Sequence, residues 1–117
     1  MVDDNGDHRA IAAALLTHGG YTALQAETTA EASWFISAYN PDLLIIDIDM
    51  PDKNGLAWAL ELRSDPAMAK TPIIIYSAFA DVYRAELRRF DISWIEKSVS
   101  PMQFLEGIER AFAGKKS

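Results

Sequence analysis

Apolar and polar residues alternate along this chain in blocks that favour strands and helices in turn. Continuous apolar runs at residues 43–46 and 73–75 are typical of strands buried on both faces of a parallel sheet. The segments between such runs carry apolar residues at helical spacing, with polar residues on the other positions. The order of elements therefore predicts a parallel sheet with right-handed crossovers and helices on both faces.

Capping signals and glycine stops predict where the helices begin and end. A first helix begins at Asp7 and stops at Gly19 and Gly20. Thr28 and Glu31 have the spacing of a capping box, which predicts a second helix through about residue 39. Ser100 as N-cap and Pro101 at the first helical position predict the last helix. Further helices are predicted over 56–63 and 81–90, and strands over 21–26, 41–47, 71–78 and 92–97.

The alternation requires a strand before the first helix, and only its end is present in this sequence. Met1 and Val2 are followed at once by Asp3 and Asp4. We expect a single domain over residues 1–117 whose first strand is truncated at its N-terminal end. A strand this short leaves its neighbours without part of their hydrogen-bond ladder.

Composition and charge exclude several classes of function. The net charge of −6 and the pI near 4.7 disfavour binding to nucleic acid or to an anionic membrane, because both reward clustered Lys and Arg. The chain has no cysteine, which excludes disulfides and thiolate chemistry. His8 and His18 are too few and too far apart to indicate zinc, and we expect His8 on a helix surface. No apolar run is long enough to cross a membrane, which predicts a cytoplasmic protein.

Polar side chains stand where the predicted strands end, at one edge of the sheet. In an open parallel sheet these ends lie together and form the place where ligands bind. Three or more carboxylates at this edge repel one another unless a cation lies among them, and their oxygens suit Mg²⁺ or Mn²⁺. A hydroxyl and an ammonium beside them suit a phosphoryl group, which indicates phosphoryl transfer to a carboxylate. The residues at these strand ends are Asp3, Asp4, Asp47, Ser77 and Lys97.

Four motifs in this order resemble the receiver domain of two-component response regulators across essentially the whole chain. They are "VDDN", "IIDIDMPDKNG", "IIIYSA" and "WIEKS". Asp47, Met50, Pro51 and Gly55 match the family's pattern around its phosphoacceptor. The resemblance implies an α/β fold of the flavodoxin-like or CheY-like type. This fold is a three-layer sandwich with a five-stranded parallel sheet in the order 2-1-3-4-5.

The resemblance also implies a role for each residue of the site. Asp47 is the phosphoacceptor, Ser77 binds a phosphoryl oxygen, and Lys97 pairs with that group. The implied Mg²⁺ ligands are Asp47, Asp4, the backbone carbonyl of Asp49, and Asp3 through a water molecule. The domain is then not an enzyme in the ordinary sense, since it catalyses only its own phosphorylation and dephosphorylation.

The resemblance also implies a signalling switch at residues outside the acidic cluster. In that switch Ser77 is expected to move toward the phosphoryl group and Trp94 to turn inward, which changes the face formed by the fourth helix, fifth strand and fifth helix. Asp49 and Phe79 hold the positions that control access to the phosphoryl group, and Phe79 is expected to shield it from water.

The resemblance also implies the partners of such a domain. The expected partners are a sensor histidine kinase or a phosphotransfer protein, a downstream protein target, and a second copy bound through the face just described. The chain carries no output segment of its own, and a stand-alone regulator and a part of a longer protein both remain open.

Three features depart from the family's pattern. Ser98 follows Lys97 where the family usually has a proline in a cis peptide, and a cis bond to a residue other than proline costs about 3 kcal/mol. Phe90 and Asp91 replace the usual Gly-Ala after the fourth helix, which predicts a modified turn. The short spacing from Ser77 to Lys97 predicts a truncated or displaced fourth helix.

A phosphohydrolase of the haloacid dehalogenase type is an alternative interpretation, because "IIDID" resembles the Asp-x-Asp motif of that family. The order of the motifs disfavours it. In that family the Asp-x-Asp motif comes first, whereas here Asp3 and Asp4 precede Asp47.

A degenerate receiver that binds its partner without phosphate is a further alternative. The complete set of five strand-end residues disfavours it, while Ser98 and the altered fourth helix keep it open.

Overall fold

Three parallel strands form the regular part of the sheet. The computed structural model describes residues 1–115, so the last two residues of the predicted domain lie outside it. The strands are β1 (Leu44–Ile46), β2 (Ile73–Ser77) and β3 (Ser93–Glu96), in the order β1-β2-β3. They correspond to the third, fourth and fifth predicted strands. The register places Ile45 beside Ile74 and Ile75 beside Trp94.

The prediction of five strands was wrong in number but right in order. Val2 forms isolated parallel bridges with Ala26 on one side and Ile46 on the other. The first two predicted strands thus lie in the expected positions, and each is reduced to a single bridged residue. The physical reason is that a ladder needs consecutive pairs, and only Met1 and Val2 precede the turn into the first helix. Within residues 21–25, the Leu24 carbonyl accepts a hydrogen bond from the Met1 amino group at 2.8 Å without forming a regular ladder.

Within residues 1–115, five α-helices connect and cover the strands. Two N-terminal caps match the sequence signals: Thr28 accepts a hydrogen bond from the amide of Glu31, and Ser100 and Gln103 exchange two hydrogen bonds. The first helix begins one residue earlier than predicted because Asn5 caps it. The helices are α1 (Gly6–His18), α2 (Thr29–Tyr39), α3 (Gly55–Ser64), α4 (Arg84–Arg89) and α5 (Pro101–Lys115).

The sheet separates two apolar clusters, which confirms helices on both faces. Residues of α2, α3 and α4 pack on one face around Ile46, Ile73 and Ile75. Residues of α1 and α5 pack on the other face around Ile45 and Ile74. No helix within residues 1–115 is long and apolar enough to cross a membrane.

The region of the fourth helix differs from the single helical segment predicted over 81–90. It begins as a 3₁₀ turn, Ala80–Tyr83, and α4 has only six residues, which confirms the expected truncation. Asp91 ends it with a φ of +55°, so the turn is modified as predicted. The peptide between Lys97 and Ser98 is trans.

The guanidinium of Arg63, at the end of α3, fixes this turn. It donates to the carbonyls of Phe90 and Asp91 at 3.1 and 3.0 Å. It also donates to three carbonyls after α3, namely those of Met68, Ala69 and Thr71. One side chain therefore satisfies backbone acceptors from two separate loops.

Candidate functional site

The carboxyl ends of the strands bring the five predicted residues to one edge of the sheet. Asp47 follows β1 directly, Ser77 is the last residue of β2, and Lys97 follows β3. Asp3 and Asp4 come after Val2, whose bridge to Ile46 places them beside β1. Each residue therefore owes its position to where a strand ends, as the sequence predicted.

Three carboxylates form the centre of the site. Oxygens of Asp3, Asp4 and Asp47 lie within 4.8 Å of one another. Asp3 and Asp47 are buried, while Asp4 is exposed to solvent. Such a set of hard oxygen donors, open to water on one side, fits a divalent cation such as Mg²⁺.

The Lys97 ammonium neutralises part of this charge. It lies 3.0 Å from Asp3 Oδ2 and 3.4 Å from Asp47 Oδ2. Burial by itself would lower the pKa of Lys97, but the hydrogen bond to Asp3 and the charge of Asp47 outweigh burial, and the pKa is raised. Lys97 therefore stays protonated at neutral pH.

Asp47 is an acid whose environment disfavours its charge. Burial, and next the charge of Asp3, raise the pKa of Asp47 to about 6. Lys97 and the Ile48 amide, which donates to Asp47 Oδ1 at 2.9 Å, act in the opposite direction. Added positive charge near Asp47 would therefore stabilise its ionised carboxylate.

Asp3 is held rigidly, although the sequence context gave no sign of this. Its Oδ1 accepts from the Asn5 amide at 2.9 Å, and its Oδ2 accepts from Lys97. The Arg9 guanidinium also donates to the Asp3 carbonyl at 2.8 Å. Both carboxylate oxygens of Asp3 are therefore already engaged by protein donors.

The loop that follows Asp47 returns close to it and is tied to α2. A Cβ atom at Gly55 would lie 1.8 Å from the Asp47 carbonyl oxygen, so no other residue fits there without movement of the backbone. The Asp52 carboxylate accepts from the amides of Thr29 and Ala30, both at 3.1 Å, and from the Thr29 hydroxyl at 2.9 Å. These contacts fix the loop between β1 and α3.

The other predicted site residues occupy different environments. Ser77 is buried, and the Phe79 amide lies 3.5 Å from its Oγ. The Phe79 ring is 71% exposed, and the Asp49 side chain is also exposed. Trp94 is half-buried beneath the Arg88 guanidinium, which lies 5.7 Å from the centre of its ring. The structure thus brings the carboxylates of Asp3, Asp4 and Asp47 within 4.8 Å of one another and pairs Lys97 with Asp3 and Asp47. It leaves the Phe79 ring outside.

His8 is a site residue that the sequence analysis did not identify. It is exposed on α1, as expected, but its Nδ1 lies 3.2 Å from Lys97 Nζ. The only signal in the sequence is that His8 follows Asp4 by four residues, at the start of the first predicted helix.

The chain is similar to known signalling proteins over most of its length. Residues 1–109 match the family model described as the response regulator receiver domain. The chain is 35% identical over 80 residues to the gliding motility regulatory protein of Myxococcus xanthus, which covers 68% of this chain and 10% of that protein. It is 28% identical over 112 residues to the polar-differentiation response regulator DivK of Brucella ovis, which covers 93% of this chain and 90% of DivK.

A solved structure shows the same fold. The chemotaxis response regulator CheY4 of Vibrio cholerae superimposes with a TM-score of 0.83 at 23% identity, covering 94% of this chain and 93% of that chain. At this level of identity the comparison concerns the fold alone. The sheet and its flanking helices are therefore of the CheY-like type.

Proposed function

This chain belongs to the response regulator receiver domain family of two-component systems, and from that premise we propose that Asp47 accepts a phosphoryl group from a phosphohistidine. The observation that carries the proposal is the contact set of Asp47. It is a buried carboxylate with two further aspartates within 4.8 Å and an ammonium 3.4 Å away. Its raised pKa indicates a negative charge that an added cation would stabilise.

The transfer breaks one bond and forms another. An Asp47 carboxylate oxygen attacks phosphorus, the N–P bond of the phosphohistidine breaks, and the imidazole leaves with the electron pair. The product on this chain is an acyl phosphate. Lys97 offers its ammonium to the phosphoryl oxygens, and the Ser77 hydroxyl donates to another of them.

Mg²⁺ or Mn²⁺ fits the acidic cluster as the cofactor of this transfer. Asp4, Asp47 and the backbone carbonyl of Asp49 would hold the ion directly. Asp3 would act through a water molecule, which agrees with both of its oxygens being engaged by Asn5 and Lys97. The bound cation would neutralise negative charge on the phosphoryl group.

Phosphorylation is proposed to change the surface near α4 and α5. The Ser77 hydroxyl moves toward the phosphoryl group, and Trp94 turns inward from its half-buried position. The breaking of the Arg88–Trp94 contact would transmit this change to α4. The face formed by α4, β3 and α5 then binds a downstream protein or a second copy of the chain.

Access to the phosphoryl group is proposed to depend on residues 49 and 79. The Phe79 ring is largely exposed, so it would have to fold over the site to exclude water. We expect Phe79→Ala to shorten the lifetime of the acyl phosphate. An unchanged rate of dephosphorylation would show that the ring stays in solvent.

The proposed donors are a sensor histidine kinase or a phosphotransfer protein, which place the domain in the cytoplasm. Its catalytic activity is then limited to its own phosphorylation and dephosphorylation. The chain spans about a tenth of the Myxococcus relative and nearly all of DivK, so both a longer regulator and a small one match it.

Intact-mass measurement after incubation with acetyl phosphate and Mg²⁺ tests the proposal. The expected result is a gain of one phosphoryl group in the wild type and none in Asp47→Asn or in the presence of EDTA. Asp42→Asn is the matched control, because Asp42 is exposed and lies before β1, at the end of the strand opposite the site. A folded wild type that gains no mass would favour the phosphate-independent interaction module.

A further inference from the structure

We propose that His8 is a positioning residue for Lys97, and that its neutral imidazole accepts a hydrogen bond from the Lys97 ammonium at Nδ1. The two nitrogens lie 3.2 Å apart. An ammonium has three donors and no acceptor, so a hydrogen bond here requires Nδ1 to be the acceptor and Nε2 to carry the proton. The effect on phosphorylation rests on the proposed function, whereas the contact itself does not.

The geometry provides one acceptor for each proton of the ammonium. Lys97 Nζ lies 3.0 Å from Asp3 Oδ2, 3.2 Å from His8 Nδ1 and 3.4 Å from Asp47 Oδ2. Asp3 and His8 each accept a hydrogen bond from one N–H of the ammonium, so the third N–H points to Asp47. The lysine side chain is long and flexible, so two fixed acceptors restrict the direction of the third N–H of its ammonium.

His8 is itself placed by the start of α1. Its backbone amide donates to Asn5 Oδ1 at 3.0 Å, the bond that caps this helix. The adjacent Asn5 amide holds the Asp3 carboxylate. The N-terminal end of α1 and its cap therefore fix two of the three acceptors around Lys97.

Once Asp47 carries a phosphoryl group, its carboxylate charge is replaced by charge on the phosphoryl oxygens. An ammonium already held by Asp3 and His8 would need only a small movement to pair with one of them. Without His8, the second N–H of the ammonium would donate to water, and the orientation of the ammonium would be less restricted. His8 therefore increases the rate of Asp47 phosphorylation by orienting the Lys97 ammonium.

The first test is the rate of phosphorylation by acetyl phosphate at saturating Mg²⁺, measured over a range of donor concentrations. Loss of one hydrogen bond of ordinary strength predicts a rate about 2- to 10-fold lower in His8→Ala. The side-chain carbonyl of His8→Gln can accept from Lys97 and should restore most of the rate. His18→Ala, at the other end of α1, is the matched control and should match the wild type.

The second test observes the imidazole directly by ¹⁵N NMR of the wild type at a mildly alkaline pH. We expect the His8 signals of an unprotonated Nδ1 and a protonated Nε2, with a change in the Nδ1 signal in Lys97→Met. A protonated Nδ1, or a rate for His8→Ala equal to that of the wild type, would overturn the inference. If the wild type gains no phosphoryl group, the proposed function fails, while the NMR spectrum still decides the contact.

Discussion

The Lys97 ammonium donates to Asp3 Oδ2 at 3.0 Å and so joins two residues that are 94 positions apart in sequence. The Asp3 side chain is fully buried in this pair, while that of Lys97 is 16% exposed. A buried carboxylate depends on such a partner, because its charge is costly to leave unpaired. The pair therefore contributes to the stability of the domain as well as to its chemistry.

Removal of this ammonium should destabilise the protein. We expect Lys97→Met to lower the free energy of unfolding in EDTA by about 3 kcal/mol, because Asp3 is left buried without its partner. Saturating Mg²⁺ should recover part of the loss, since the added cation binds the folded state. Urea unfolding with and without Mg²⁺ measures both effects.

Lys53→Met is the control for this comparison. Lys53 forms an ion pair with Glu61, and both side chains are substantially exposed. Its loss should change the free energy of unfolding by about 0.5 kcal/mol or less. Equal effects of the two substitutions would contradict a special role for the pair of Asp3 and Lys97.

Because the pKa of Asp47 is raised, we expect replacement of this residue to increase the stability of the protein by an amount that depends on pH. Because the pKa rises from 3.8 unfolded to about 6 folded, the folded state holds the proton more tightly, and stability falls as pH increases through this window. Asp47→Asn removes this loss of stability at higher pH. In EDTA the variant should be more stable than the wild type by about 1–3 kcal/mol above pH 6, with the gain vanishing below the unfolded pKa.

Chemical unfolding at several pH values checks this expectation. Asp42→Asn, an exposed aspartate just before β1, should show no comparable gain. A gain for Asp47→Asn that stays constant with pH would indicate that the pKa of Asp47 is not raised.

The five carbonyl contacts of Arg63 predict that lysine cannot replace it. A lysine ammonium has three donors in a different geometry and cannot reach both the turn after α3 and the turn at Asp91. Arg63→Lys should lower the free energy of unfolding by about 2 kcal/mol. Thermal or urea unfolding provides the measurement, and Arg84→Lys, at an exposed position of α4, should be near neutral.

The Asp52 contacts predict that the loop after Asp47 loosens at low pH. Burial tends to raise the pKa of Asp52, but hydrogen bonds from Thr29 and Ala30 outweigh it and lower the pKa. The stabilising contacts are therefore present above the ordinary aspartate pKa and lost as pH falls through the lowered value. Asp52→Ala should speed amide hydrogen exchange at residues 29, 30, 48–50 and 52–54 at neutral pH.

The same exchange experiment on Asp42→Ala is the control, since that side chain is exposed at the far end of β1. Protection that is unaltered in Asp52→Ala would show that Gly55 and the backbone hold the loop without Asp52.

Local patterns in the sequence predicted the fold class, the caps of α2 and α5, and the clustering of Asp3, Asp4, Asp47, Ser77 and Lys97. Those features follow from apolar runs, capping residues and strand ends, and each of these patterns involves only a few neighbouring residues in the sequence. Parallel topology then brings the strand ends together without knowledge of any single contact.

The tertiary structure decided the features that depend on residues far apart in sequence. The first two strands shrink to bridges at Val2 because a ladder needs two partners of sufficient length. His8 meets Lys97, and Arg63 meets Phe90, only because separate helices and turns pack together. The pKa of Asp47 is likewise set by burial and by neighbouring charges, and these exist only once the chain has folded.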